Sequence, residues 1–151
     1  MFQEMEYSQS KLEMSFNNVM TAIRYTDFPN VKLILKSNPE LLLENCKFPY
    51  SHFGGFRPRN SPRGYTNGET PLHAASMFSI FNFESYEILM FIINMSEEKY
   101  PNENLIEKKN ANGRNALSIL LKNNWSESPY FQNVAEILID CLIEGSGSDK
   151  V

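Results

Sequence analysis

The chain has 151 residues, 42% of them hydrophobic and 21% charged. That is the size of one domain, with enough apolar residues for a packed core and too many for a disordered chain. A formal net charge of -4 excludes nucleic-acid binding driven by overall charge, and two distant cysteines, Cys46 and Cys141, exclude a disulfide framework and suit reduced thiols inside a cell.

Residues 1–14 are polar with scattered methionines and read as a partly ordered N-terminal segment. Met1 to Tyr7 is acidic and lacks the apolar core of a signal peptide. From Phe16 the apolar spacing becomes helical: Val19, Ala22 and Ile23 share a face, with Asn17 or Asn18 as cap. After a turn at Thr26-Asp27-Phe28-Pro29, a second helix is expected from Asn30 to Lys36, burying Val31, Ile34 and Leu35 and stopped by Asn38-Pro39. Residues 46–66, rich in Pro, Gly and aromatics, read as a long loop.

The next start is the clearest in the chain. Gly68 supplies a turn, Thr70 has the hydroxyl of an N-cap, and Pro71 suits the first helical position, where its missing N–H costs nothing. Leu72 and Ala75 share the buried face, and small Ala75 and Ser76 let a neighbouring helix approach closely. This helix runs to about Ser79, and a partner helix from about Ser85 to Met95 has Ile88, Leu89, Phe91 and Ile92 as core candidates. The best apolar run, Ile88 to Met95, is too short to span a membrane. Residues 96–111 are charged and read as a second extended loop. Asn112-Gly113-Arg114-Asn115-Ala116-Leu117-Ser118 then matches Asn67-Gly68-Glu69-Thr70-Pro71-Leu72-His73 position for position, with Asn115 as replacement cap. Ser128-Pro129 opens a last helix from about Tyr130 to Ile143, and 145–151 reads as a flexible tail.

Thr70-Pro71-Leu72-His73-Ala74-Ala75 carries the Thr-Pro-Leu-His-x-Ala signature and resembles an ankyrin repeat. Ala22 to Asp27 and Val31 to Leu35 resemble the two helices of a more divergent repeat, in which Asn17-Asn18-Val19-Met20 stands in place of the signature. The third copy has Leu120 and Leu121 where Ala75 and Ser76 stand. The resemblance implies an all-α solenoid of stacked helix-turn-helix units over 15–144. Its repeats are at about 16–45, 67–95 and 112–143, with finger insertions at 46–66 and 96–111. It gives Gly68, Thr70, Pro71, Leu72, His73, Ala75 and Gly113 structural roles. In such repeats the residue at His73 hydrogen-bonds at the helix start and links neighbouring repeats. The function implied is a non-catalytic protein–protein interaction module that binds through its concave face. An adaptor, an inhibitor that masks its partner, or an effector of a pathogen or virus would all fit. The setting is intracellular, cytoplasmic or nuclear, including delivery into a host cell.

Taken alone, His73 is a candidate metal ligand or general base, but the only other histidine is His52, in the long loop, and no Cys-His cluster has ligand spacing. Cys46 and Cys141 fit no local signature of a nucleophile, and Gly54-Gly55 lacks the flanks of a phosphate loop. No cofactor, metal or small-molecule substrate is expected. The 46–66 insertion differs: it holds four of the 14 basic residues and none of the 18 acidic ones, so it is +4 on a body of -8. Phe48, Tyr50, Phe53, Phe56 and Tyr65 interleave with Arg57, Arg59 and Arg63, and these are the residue types enriched at binding hot spots. This set is the candidate contact with a protein partner of acidic surface. The competing readings are aromatics packed back onto the repeats, or a loop that grips phosphates and stacks bases, which the net acidity opposes. In the last helix, 130–143, Val134, Ala135, Ile137, Leu138, Ile139, Cys141, Leu142 and Ile143 leave little polar face, which points to self-association, a partner there, or further repeats in a longer protein.

Overall fold

Apolar residues at helical spacing build every element of the computed structural model, which describes residues 14–47, 67–123 and 127–147. Helix α1 covers 14–24 and buries Phe16, Val19, Met20, Ala22 and Ile23. It is already helical at 14, so Asn17 and Asn18 are exposed residues within it and not its caps. At its end Asp27 N donates to Ala22 O (2.8 Å) and Thr26 N to Ile23 O (3.2 Å), the paired bonds of a Schellman stop.

Helix α2 is Phe28–Ser37. It begins two residues before Asn30 because the Asp27 carboxylate caps it, accepting from Asn30 N at 3.4 Å and from the Asn30 amide at 3.2 Å. Pro29 fits within that first turn, where no intrahelical donor is required of it. A short 3-10 turn, Pro39–Leu43, follows and buries Leu41 and Leu42.

Helix α3, Pro71–Phe78, starts on Thr70 as the sequence predicts, and all eight of its residues are buried. The α3–α4 connection reaches Asn82, whose side chain accepts from Ser85 N (2.8 Å) while Ser85 Oγ accepts from Asn82 N (3.0 Å). That capping box starts α4, Phe83–Lys99, ahead of the expected Ser85. Residues 96–99, expected in a loop, continue α4, with Lys99 in the last turn, where a cation suits the helix dipole. The segment after it is packed as well: a 3-10 turn, Leu105–Glu107, buries Leu105, and Asn110 is buried.

Helix α5, Ala116–Asn123, takes Asn115 as its cap, the Asn115 side chain accepting from Ser118 N at 2.9 Å. Helix α6 is Phe131–Gly147, so it continues through 145–147, where a flexible tail was expected. Ser128 does not sit at the helix boundary; its hydroxyl accepts from Tyr130 N (3.2 Å) and donates to Ile80 O (2.6 Å), tying this turn to the α3–α4 connection.

The described residues thus form six α-helices and two 3-10 turns, with no strand among them. None of these helices is long and apolar enough to cross a membrane. Helix α3 lies at the centre, against α4 on one side and α5 on the other; α2 packs on α4, and α5 on α6. The small residues Ala74, Ala75 and Ser76 make room for both neighbours of α3, and all three are buried. In α4, Ile88, Leu89 and Ile92 enter the core; Phe91 is half-buried and meets Phe28 edge-on, with centroids 5.9 Å apart. Leu120 is buried in α5, whereas Leu121 is 51% exposed, so only one of the two bulky residues has to be accommodated in the core.

Candidate functional site

The sequence places a turn at each Asn-Gly pair, and the two turns lie against each other. Gly68 has φ +86° and Gly113 φ +75°, values that favour glycine. Asn67 O accepts from Ala111 N at 2.9 Å. A Cβ on Gly68 would come within 3.0 Å of Ala111 N and 3.2 Å of Asn110 Cα; one on Gly113 would meet nothing within 4 Å. Gly68 is therefore constrained twice, by its backbone angle and by its neighbour, and Gly113 once. Asn110 organises the second turn: its Oδ1 accepts from Asn112 N (2.9 Å) and Arg114 N (3.1 Å), and its Nδ2 donates to Glu69 Oε2 at 3.1 Å.

His73 extends the same ladder. Thr70 N donates to His73 Nδ1 (3.1 Å), and His73 N donates to Thr70 Oγ1 (3.3 Å). An Nδ1 that accepts carries no proton, so Nε2–H is the donor to Arg114 O, at 3.1 Å. Burial lowers the pKa of His73 below 6.5, partly opposed by its hydrogen bonds to the Arg114 and Lys108 carbonyls; the Lys108 charge adds a further lowering. The ring is neutral at neutral pH, as this bonding requires. One turn further along α3, Ser76 Oγ donates to Ala116 O at 2.7 Å. Three residues of α3 and its leading turn thus bond to the segment around α5, 40 or 41 positions on. Leu72 and Ala75 are buried beside them, and Pro71 is buried at the helix start.

The candidate partner-binding residues Phe48, Tyr50, Phe53, Phe56, Arg57, Arg59, Arg63 and Tyr65 lie outside the described residues. The backbone flanking them is described. Cys46 N donates to Glu69 O (2.9 Å), and Gly68 N donates to Cys46 O (2.7 Å). The described backbone on either side of 48–66 therefore meets at Cys46, next to the stacked Asn-Gly turns. Cys46 is buried, and its thiol is pushed up to about 12 by that burial and then by the Glu69 charge. It is protonated at neutral pH and unsuited to nucleophilic attack.

The apolar residues of α6 divide between core and surface. Val134 and Leu138 are buried, Ala135, Ile137, Cys141 and Leu142 are half-buried, and Ile139 and Ile143 are exposed. Sequence reasoning missed a cavity of about 270 Å³ between the last turns of α4, the 100–106 segment and α6. Ser96, Glu97, Tyr100, Asn104, Cys141 and Glu144 are its polar lining residues. Cys141 Sγ donates to Glu97 Oε1 at 3.8 Å. Burial first, and the Glu97 charge second, push that thiol up to about 11. The available signal was the i, i+3 spacing of Cys141 and Glu144 on one helix face; the approach of Glu97 from 44 residues away has no local signature. No group of three or more His, Cys, Asp or Glu among the described residues could hold a metal ion.

No protein-family model, curated protein or solved structure matches the chain.

Proposed function

We propose that the chain is a non-catalytic protein–protein interaction module: a short, divergent ankyrin-type solenoid that binds a protein partner through its concave face and the 46–66 finger. The observation that carries this proposal is the ladder joining two turns 45 residues apart in sequence, Asn67-Gly68 and Asn112-Gly113. Asn67 O accepts from Ala111 N, and the His73 ring reaches Arg114 O. Such a ladder repeats a unit along an axis and leaves the segment between units free to lengthen. The insertion begins and ends beside this ladder, fastened by the two hydrogen bonds of Cys46. A long connection is entropically tolerable, since closure cost grows slowly with length. A short turn would serve the solenoid equally well, so the added residues are assigned to binding. Their four cations attract an acidic surface, and their aromatics supply buried anchors.

The test is affinity capture from cell extract with the intact protein and with a variant whose residues 48–66 are replaced by a short Gly-Ser linker. The expected result is a defined protein partner retained by the intact protein and lost by the variant, at unchanged helical circular dichroism. Retention of the same partner by the folded variant would reject the finger as the contact.

A further inference from the structure

Helices α4 and α6 are both 17 residues long, and they differ in what they show to solvent. After Phe83 at its start, the exposed residues of α4 are Glu84, Asn94, Glu97, Glu98 and Lys99, all polar and of both charge signs. Helix α6 instead exposes Ile139 (41%) and Ile143 (62%), one turn apart. Its side chains fall into rows at helical spacing. Val134 and Leu138 are the core row and are fully buried. Ala135, Ile139, Leu142 and Ile143, at i, i+4, i+7 and i+8, form a second apolar row, with Ala135 and Leu142 half-buried. Glu136 and Asp140, both exposed, border that row three residues before Ile139 and Ile143. The Glu136 carboxylate accepts from Gln132 Nε2 at 3.2 Å, a bond along the same edge. Helix α6 contains no Lys, Arg or His.

We infer that this face of α6 receives an amphipathic helix of a partner protein, with an apolar stripe on Ile139, Leu142 and Ile143 and with Lys or Arg along the edge that meets Glu136 and Asp140. A helix fits because the exposed row itself repeats at helical spacing, and small Ala135 lets the partner approach closely. Charge decides which helix. Carboxylates along the edge of an apolar seam attract cations and repel acids, as flanking charges do between paired helices. Two copies of α6 placed seam to seam would bring only carboxylates to that edge, so a second copy of the chain is disfavoured. The inference concerns α6 and goes beyond the concave face and the insertion proposed above; its test needs neither.

The probe is a labelled synthetic helical peptide with a leucine stripe at helical spacing and lysine at the flanking positions, titrated into the full chain and followed by fluorescence anisotropy. The control is the same peptide with glutamate in place of every lysine. The expected result is saturable binding of the lysine peptide, with amide shifts in proton–nitrogen NMR centred on residues 131–144. The glutamate peptide should bind at least about tenfold more weakly. Ile139→Gln with Ile143→Gln, at exposed positions that the fold does not need, should weaken binding at least about tenfold with unchanged circular dichroism. Glu136→Gln with Asp140→Asn should weaken it about two- to fivefold and flatten its dependence on salt. Absence of saturable binding up to about 1 mM would overturn the inference. So would equal binding of the glutamate peptide, shifts centred elsewhere, or affinity unchanged in the folded variants. Sedimentation showing that the chain self-associates through Ile139 and Ile143 would also overturn it, by assigning the face to a second copy.

Discussion

Thr26 closes α1 with φ +58°, at the left-handed position of a Schellman stop where glycine is the usual residue. A β-branched side chain there is strained by about 1–2 kcal/mol. Thr26→Gly should therefore stabilise the protein by about 1 kcal/mol in denaturant unfolding, the gain being reduced by the greater freedom of glycine in the unfolded chain. The two turn glycines should respond unequally. Gly68→Ala meets both an unfavourable φ and backbone atoms at 3.0 Å, and Gly113→Ala meets the φ alone. Both variants should lose stability, Gly68→Ala by clearly more, and equal losses would contradict the close stacking of the turns. His73 makes stability depend on pH. Its folded pKa lies below the unfolded 6.5, so the unfolded chain takes up a proton first as pH falls. The contribution is complete above 6.5 and is lost progressively below it, towards the folded pKa. Unfolding midpoints measured at about pH 7.5 and about pH 5.5 should fall further for the wild type than for His73→Gln. An identical pH slope in the variant would remove His73 from this account.

At the scale of the element, legibility followed how local the controlling interaction is. The start of α3 is readable because Thr70, Pro71 and His73 settle it within four positions, and Thr70→Ala should cost about 1 kcal/mol in thermal or denaturant unfolding. The Asn115 cap is readable for the same reason. The start of α2 is displaced from Asn30 because Asp27 caps as readily as it turns, and a proline such as Pro29 fits either a turn or a first helical turn. The end of α4 is concealed by Glu97, Glu98 and Lys99, whose charge suggests a loop but here marks the solvated face of a helix. Leu105 and Asn110, buried in a segment expected to extend into solvent, take their places from contacts made by α6 and Glu69, far off in sequence. The cavity at Ser96 was not legible at all, since it needs α4, the 100–106 segment and α6 to meet.

Across the whole molecule, an all-helical body with acidic excess carries one basic, aromatic insertion fastened beside its stacked turns. Under the binding function proposed above, the opposite charges of body and insertion would give the two parts different tasks. The cations of the insertion act at long range and should set the rate of encounter, and the aromatics act on contact and should set the lifetime of the complex. The most direct measurement is the kinetics of binding to a captured partner, with each variant's melting temperature as control. Reversing Arg57, Arg59 and Arg63 to Glu should slow association, flatten its salt dependence and leave dissociation nearly unchanged. Alanine at a true anchor among Phe48, Tyr50, Phe53 and Phe56 should instead speed dissociation about thirtyfold, corresponding to about 2 kcal/mol. If every variant keeps both rate constants, or if the alanine variants lose stability while affinity holds, the insertion is not the binding element and the central claim is contradicted.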